Sequence, residues 1–186
     1  MGSMSPLVVT TFLALLALVA AAGAIGLIVL AIAGRSSAGA ARALEAVRTS
    51  IGPAGLWLAF LVALTATFGS LYLSEVVGFV PCTLCWYQRI AMYPQVIVLG
   101  IAAWRDDALV RRYAVPVAAV GGLISAYHVG LQRLPGLPSG SCSLDVPCSA
   151  IYVERFGFVT IPVMALIGFI SIIAILTLLV PRSSDS

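Results

Sequence analysis

Five long apolar segments set the limits on how this chain can fold. The first, residues 7–34, carries no charged residue. Since about 20 helical residues cross the hydrocarbon core of a bilayer, each segment predicts a membrane-spanning helix. Only 9% of the residues are charged, against about a quarter in soluble domains, so we predict an all-α integral membrane protein. The segments are residues 7–34, 53–74, 86–104, 113–131 and 157–180.

The order of these segments predicts a four-helix transmembrane bundle, residues 53–182, preceded by one extra transmembrane helix, residues 4–34. A cleaved signal peptide is the alternative for the first segment, but it lacks a basic start and is longer than such peptides usually are. Residues 35–52 alternate charged and apolar side chains and predict a cytoplasmic amphipathic helix. Residues 1–3 resemble a cloning remnant, and residues 183–186 form a polar tail.

Arginine placement predicts the orientation of the chain. Cytoplasmic connections of membrane proteins carry an excess of arginine and lysine. The side with more arginines is therefore predicted to be cytoplasmic, with the N-terminus outside and the C-terminus cytoplasmic. All four cysteines then lie on the outer, extracytoplasmic side, where disulfides persist. One side holds Arg35, Arg42, Arg48, Arg105, Arg111, Arg112 and Arg182, and the other holds Arg89, Arg133 and Arg155.

Cys82 and Cys85 form a Cys-x-x-Cys before the third segment. This spacing lets two sulfurs reach disulfide distance, and the start of a helix favours the reactive thiolate form of Cys85. Arg89 follows Cys85 by one helical turn, on the same face. Its guanidinium could stabilise that thiolate, or donate a hydrogen bond to a quinone carbonyl or another polar ligand. The alternative is an interfacial anchor that reaches lipid phosphate.

Cys142 and Cys148 lie in a loop rich in proline, glycine and serine, residues 132–155. An exposed, mobile loop suits a disulfide that exchanges with another protein. A static disulfide is the simpler alternative. A zinc site is disfavoured, because five residues separate this pair and no further histidine flanks it. His128, near the outer end of the fourth segment, is open to proton handling, a quinone contact or a purely structural role.

The motif CTLCWYQRIAMYP, residues 82–94, resembles the signature of the disulfide bond formation protein B (DsbB) family, especially its shorter BdbC-like branch. The resemblance extends over about residues 53–180 and includes Tyr127-His128 and the second cysteine pair. It implies a multi-pass protein of the bacterial cell membrane that works as a quinone-dependent thiol oxidase. The first apolar segment is outside the usual four-helix pattern of the family.

The resemblance also implies a role for each site residue. Cys142 would form a mixed disulfide with an extracytoplasmic thioredoxin-like partner, DsbA- or BdbD-like, with Cys148 as its disulfide mate. Cys82 would face that pair, and Cys85 would pass electrons to ubiquinone or menaquinone, with Arg89 and His128 as further quinone-binding residues. No metal is expected.

Other functions are less well supported by the sequence. No basic cluster suggests nucleic acid, and no haem or nucleotide motif suggests another electron acceptor. A quinone reductase resembling vitamin K epoxide reductase and a non-enzymatic membrane protein with two static disulfides are the alternatives.

Overall fold

A computed structural model describes residues 5–134, 142 and 146–180, and within them the fold is helical apart from one small hairpin. Residues 1–3, Arg182 and the polar tail lie outside the described residues. The helices are α1 (Pro6–Ala33), α2 (Ala38–Ile51), α3 (Gly55–Leu71), α4 (Thr83–Arg105), α5 (Arg111–Arg133) and α6 (Ile161–Ala174). The antiparallel strands are β1 (Glu154–Arg155) and β2 (Val159–Thr160). Short 3₁₀ turns at Gly52–Ala54 and Ala108–Val110 precede α3 and α5, and π-helical turns at Tyr72–Val76 and Ile175–Leu179 extend α3 and α6.

Four helical stretches are long and apolar enough to cross a membrane: Pro6–Ala33, Ala38–Val76, Ala108–Arg133 and Ile161–Leu179. The 23 residues of α4 extend about 34 Å, which is also long enough. Its sequence is less apolar because Gln88, Arg89 and Gln95 lie within it, and all three are buried. The predicted class, an all-α membrane protein, is confirmed.

Two of the membrane-spanning helices begin three or more residues away from their predicted starts. Helix α4 begins at Thr83, three residues before the predicted start, so Cys85 lies inside its first turn. The last helix begins at Ile161, and the predicted start at residue 157 is wrong. Residues 154–160 instead form the β1–β2 hairpin, whose turn places Gly157 at φ 75°. Glycine suits this turn because it has no Cβ to clash in the left-handed region.

The core lies between α3, α4, α5 and α6. Phe169 of α6 is fully buried and packs directly on Gly121 of α5, where a Cβ would overlap the ring. This glycine lets the two helices approach closely, as small residues do in membrane bundles. The other fully buried large side chains of this core are Leu99, Ile172 and Leu176.

Helix α1 lies against the outside of this bundle and connects its two ends. Near the hairpin, Arg155 donates hydrogen bonds of 3.1 and 2.7 Å to the hydroxyl oxygen of Thr10. At the other end, α2 follows α1, and Arg48 donates a 2.7 Å hydrogen bond to the carbonyl of Leu178, close to the end of α6. The hairpin and the cysteines therefore lie at one end of the molecule, and α2 lies at the other.

Candidate active site

The N-terminus of α4 holds the Cys-x-x-Cys. Cys82 is the N-cap residue in an extended conformation, and its sulfur accepts the backbone N–H of Cys85 at 3.4 Å. The two sulfurs are 2.8 Å apart, and both cysteines are free thiols. Cys82 is buried, whereas Cys85 is partly exposed. The pair is thus close enough to form a disulfide with little movement.

His128 of α5 lies between the two cysteine pairs and is almost fully buried. Its Nε2 is 3.0 Å from the carbonyl oxygen of Cys148 and 3.7 Å from the sulfur of Cys82. A carbonyl can only accept, so we assign the proton to Nε2. Nδ1 then accepts from the side-chain amide of Gln88, 3.2 Å away. This chain of contacts fixes the ring and directs its N–H toward both cysteine pairs.

The hydrogen bonds around Cys82 favour its thiolate. The hydrogen bond from the Cys85 thiol is the largest cause that lowers the pKa of Cys82, and the hydrogen bond from His128 adds to it, against the opposing effect of burial. Cys82 is therefore the sulfur that accepts these hydrogen bonds, and the thiolate of Cys85 at the start of the helix stays a prediction. The N-cap position contributes less to the lowered pKa of Cys82, through the backbone N–H of Cys85 that its sulfur accepts.

Arg89 points into the bundle. Its Nε donates to the hydroxyl of Ser70 at 3.1 Å, and its Nη2 donates to the carbonyl of Ser70 at 3.2 Å. The guanidinium lies 5.2 Å from the ring centre of Trp86 and 6.0 Å from that of Tyr93, within cation–π range. Only 9% of Arg89 is exposed. This burial disfavours the interpretation of Arg89 as an anchor that reaches lipid phosphate.

Cys85 and Arg89 line a cavity of about 680 Å³. Ligand pockets usually have about 300–1,000 Å³, so this cavity can hold a sizeable molecule. Its walls come from α1, α3, α4 and α6, and most of the lining side chains are apolar. Neither Cys82 nor His128 lines it; both line a smaller pocket of about 20 Å³ beside Pro147. The structure therefore brings Cys85 and Arg89 to the large cavity and places His128 behind them.

The second cysteine pair is joined in a disulfide, Cys142–Cys148. Cys148 is fully buried beside Cys82 and Leu131, whereas Cys142 is partly exposed. An external thiolate therefore reaches Cys142 more easily, while the backbone carbonyl of Cys148 accepts a hydrogen bond from His128. The resemblance implies the same division of roles, which stays a prediction.

The described part of the second cysteine loop is anchored to the bundle. Gln132 donates a 3.2 Å hydrogen bond to the carbonyl of Ala150 and accepts a 2.8 Å hydrogen bond from the hydroxyl of Thr160. Arg133 forms a 2.9 Å ion pair with Glu154, and Tyr152 stacks on Phe79 with ring centres 5.3 Å apart. These contacts keep Cys148 close to the first pair although many residues separate them in sequence.

Cys82, Cys85 and His128 also form a group that could hold a metal ion, since their ligand atoms lie within 4.8 Å of one another. Two thiolates on one tetrahedral zinc ion stand about 3.8 Å apart, given Zn–S bonds of about 2.3 Å. The sulfurs here are 2.8 Å apart and would have to separate by about 1 Å. The Cys142–Cys148 bond also removes that pair from a four-cysteine zinc site.

Comparisons with known proteins identify the family of the chain. The family model for disulfide bond formation protein DsbB matches residues 52–179. The chain belongs to the DsbB family. It is 49% identical over 132 residues to disulfide bond formation protein C of Bacillus subtilis, an alignment that covers 70% of this chain and 95% of that protein. The match to the DsbB model begins at residue 52, so α1 and α2 lie outside it.

Further relatives carry similar names. A probable disulfide formation protein C of Halalkalibacterium halodurans is 46% identical over 129 residues, covering 69% of this chain and 91% of that protein. A probable disulfide formation protein C of Bacillus cereus is 51% identical over 108 residues, covering 58% of this chain and 78% of that protein. No solved structure matches the chain. As a member of the DsbB family, this chain is a membrane disulfide oxidoreductase that takes part in disulfide bond formation.

Sequence reasoning did not assign a role to Gln88, Ser70 or Tyr93. Gln88 lies in the motif, and Tyr93 follows Arg89 by four residues, so helical spacing could have pointed to both. Ser70 lies on α3 and accepts hydrogen bonds from both Arg89 and Tyr93. No local pattern marks that residue, because its role depends on how α3 packs against α4.

Proposed function

We propose that this protein is a quinone-dependent thiol oxidase that reoxidises an extracytoplasmic thioredoxin-like disulfide donor, DsbA- or BdbD-like. One observation carries the proposal: His128 joins the two cysteine pairs, and the first pair opens through Cys85 onto a large apolar cavity. A relay of electrons needs the second cysteine pair next to the first, and the first pair next to the site of the electron acceptor. Two static disulfides are less well supported, because they would explain neither the imidazole between the two pairs nor the cavity beside Cys85.

The outer steps are disulfide exchanges. A thiolate of the reduced partner attacks Cys142, the Cys142–Cys148 bond breaks, and Cys148 leaves as a thiolate. The second thiol of the partner then attacks the partner's own sulfur in this mixed disulfide, so the partner leaves oxidised and Cys142 and Cys148 are left reduced. Two electrons and two protons have then entered the protein.

The inner steps move those electrons to the first pair. Cys148 attacks Cys82 of an oxidised Cys82–Cys85 bond, and Cys85 leaves as a thiolate beside the cavity. Cys142 then attacks Cys148, which restores the Cys142–Cys148 bond and leaves Cys82 reduced. The buried imidazole N–H, within hydrogen-bonding distance of the Cys82 sulfur, stabilises the charge on that sulfur during the exchange. A quinone bound in the cavity would accept the two electrons and two protons from this pair.

The cavity suits a membrane quinone in shape and polarity. Its apolar walls match a hydrocarbon tail, and Arg89 is a hydrogen-bond donor fixed at the Cys85 end. Both cysteine pairs lie at the end of the molecule opposite α2, which carries two of the arginines counted as cytoplasmic. This supports an extracytoplasmic position for the cysteines and a cytoplasmic C-terminus. Ubiquinone and menaquinone both fit this description.

A single-thiol partner tests the exchange steps. A reduced thioredoxin-fold protein whose second active-site cysteine is replaced by alanine is mixed with the full chain in detergent, and the adduct is mapped by mass spectrometry. We expect the adduct on Cys142 and none with the Cys142→Ser variant. An adduct on Cys148 instead would contradict the assignment, because that sulfur is the buried one.

The quinone requirement has its own test. Oxidation of the two-thiol partner is followed without oxygen, with and without added quinone. Turnover is expected only with quinone, and the Cys85→Ser variant is expected to form the Cys142 adduct without turning over. Turnover in the absence of any quinone would refute the proposed mechanism.

A further inference from the structure

The large cavity continues far beyond Cys85, along the extra helix α1. Lining residues of α1 extend from Leu13 to Leu30, which is about 25 Å at 1.5 Å per residue. This distance is most of the hydrocarbon thickness of a bilayer, about 30 Å. Val47 and Ile51 of α2 line the far end. The cavity is therefore a slot that runs along the helices rather than a compact pocket at the cysteines.

The slot is most polar near Cys85. Next to Cys85 it is lined by Ser70, Gln88, Arg89 and Tyr93, whereas the lining residues of α1 are leucine, alanine and glycine. A ligand with a small polar head and one long hydrocarbon tail matches this distribution. A bound water-soluble molecule would leave the long apolar part unfilled.

Contacts on both sides hold α1 in place as a wall of the slot. Toward α3, the side chain of Leu13 packs on Gly69, where a Cβ would come within 3.0 Å of it. Toward α6, Ser171 donates a 3.4 Å hydrogen bond to the carbonyl of Ala20. Arg155 fixes the outer end through its two hydrogen bonds to Thr10. The slot thus lies behind a helix that bridges α3 and α6.

We propose that α1 forms one wall of the binding site for the isoprenoid tail of the membrane quinone, so that the helix outside the family match completes the cofactor site. This inference rests on the proposed function. In this arrangement the quinone ring binds at the most polar part of the slot, near Cys85, and the isoprenoid tail lies along α1.

Gly23 and Gly26 give a direct test. Both line the slot, and a Cβ at either position would meet nothing within 4 Å. Both positions therefore have room for a larger side chain on the part of α1 that lines the slot, and phenylalanine there is the change that would fill the slot. Val19→Phe is the matched control, since Val19 is 71% exposed and does not line the slot.

The measurement is direct binding, followed by quenching of tryptophan fluorescence, since Trp86 lies beside Arg89. Two probes share one ring: a quinone with a long isoprenoid tail and the same quinone without a tail. We expect Gly23→Phe and Gly26→Phe to weaken binding of the long-tailed probe by at least about tenfold, or about 1.4 kcal/mol. Binding of the tail-less probe should stay unchanged, which also shows that the variants fold. Val19→Phe should leave the affinity for both probes unchanged.

Each other outcome has a distinct meaning. If the unmodified chain binds both probes equally well, or if Gly23→Phe and Gly26→Phe leave the long-tailed probe unaffected, the tail site is refuted while the quinone oxidase stands. If the variants lose a co-purified phospholipid and keep their quinone affinity, the slot is a lipid site and the proposal is refuted. If the unmodified chain binds neither probe, the proposed function fails with it.

Discussion

Replacing His128 with phenylalanine tests the most specific contact in the site. The variant removes the N–H that lies 3.7 Å from the sulfur of Cys82 and 3.0 Å from the carbonyl of Cys148. It keeps a flat ring of similar size in the buried position. The experiment therefore separates the hydrogen bonds of His128 from its packing.

The structure sets the size of the effect. A hydrogen bond to a charged group contributes about 1.5–3 kcal/mol, and a pKa unit corresponds to about 1.4 kcal/mol. The contact to Cys82 is long for a hydrogen bond and shares its proton with Cys148, so we take the lower value. The hydrogen bond from Cys85 remains and is the larger cause of the lowered pKa of Cys82. We expect the pKa of Cys82 to rise by about one unit.

The assay is the rate of alkylation of Cys82 in the reduced protein as a function of pH, localised by fragment-ion mass spectrometry. Because the thiolate is the nucleophile, a raised pKa moves the midpoint of this profile to higher pH. Tyr127→Phe, a change at the exposed neighbouring residue, serves as the control and should leave the midpoint unchanged.

An unchanged midpoint in the His128→Phe variant would refute the reasoning, even if the variant is less stable. Lower stability alone is expected, because the carbonyl of Cys148 and the amide of Gln88 lose a buried partner at a cost of about 1–3 kcal/mol each. The pH profile is therefore the measurement that decides.

Three further predictions concern single residues of the bundle. Arg89→Lys should weaken binding of the tail-less quinone by about tenfold, because the ammonium of lysine cannot reproduce the paired hydrogen bonds of the guanidinium to Ser70 or its contacts with aromatic rings. An affinity equal to that of the unmodified chain would contradict this prediction. Gly121→Ala should destabilise the protein by about 1–3 kcal/mol, because the added Cβ would overlap the ring of Phe169, whereas Gly122→Ala, whose Cβ would lie 3.6 Å from Phe169, should be tolerated. Equal melting temperatures of these two variants in detergent would show that α5 and α6 can move apart freely. Gln95→Met should raise the melting temperature, because within the described residues both polar atoms of the Gln95 amide are buried without a hydrogen-bond partner. A lower melting temperature would indicate that the Gln95 amide does form a hydrogen bond.

Local sequence determined the membrane class, the first cysteine pair and its arginine. Apolar length alone predicts spanning helices, since it depends only on neighbouring residues. The spacing of Cys82, Cys85 and Arg89 likewise depends on one turn and one helix, and the structure places Cys85 and Arg89 on the same cavity. The start of α4 was predicted three residues late because cysteine is not a usual N-cap residue. The hairpin at residues 154–160 was missed because two-residue strands leave almost no pattern.

Tertiary packing decided how these parts meet. His128 lies between the two cysteine pairs only because α4, α5 and the anchored loop come together in one arrangement. Ser70 accepts hydrogen bonds from Arg89 only because α3 packs against α4. In sequence, helix α1 is a uniformly apolar segment, and its composition does not indicate which of its faces packs against the bundle. Only its contacts with α3, α6 and Arg155 place it on the cavity. Spacing along one helix is fixed by its own geometry, whereas contacts between helices depend on the whole fold.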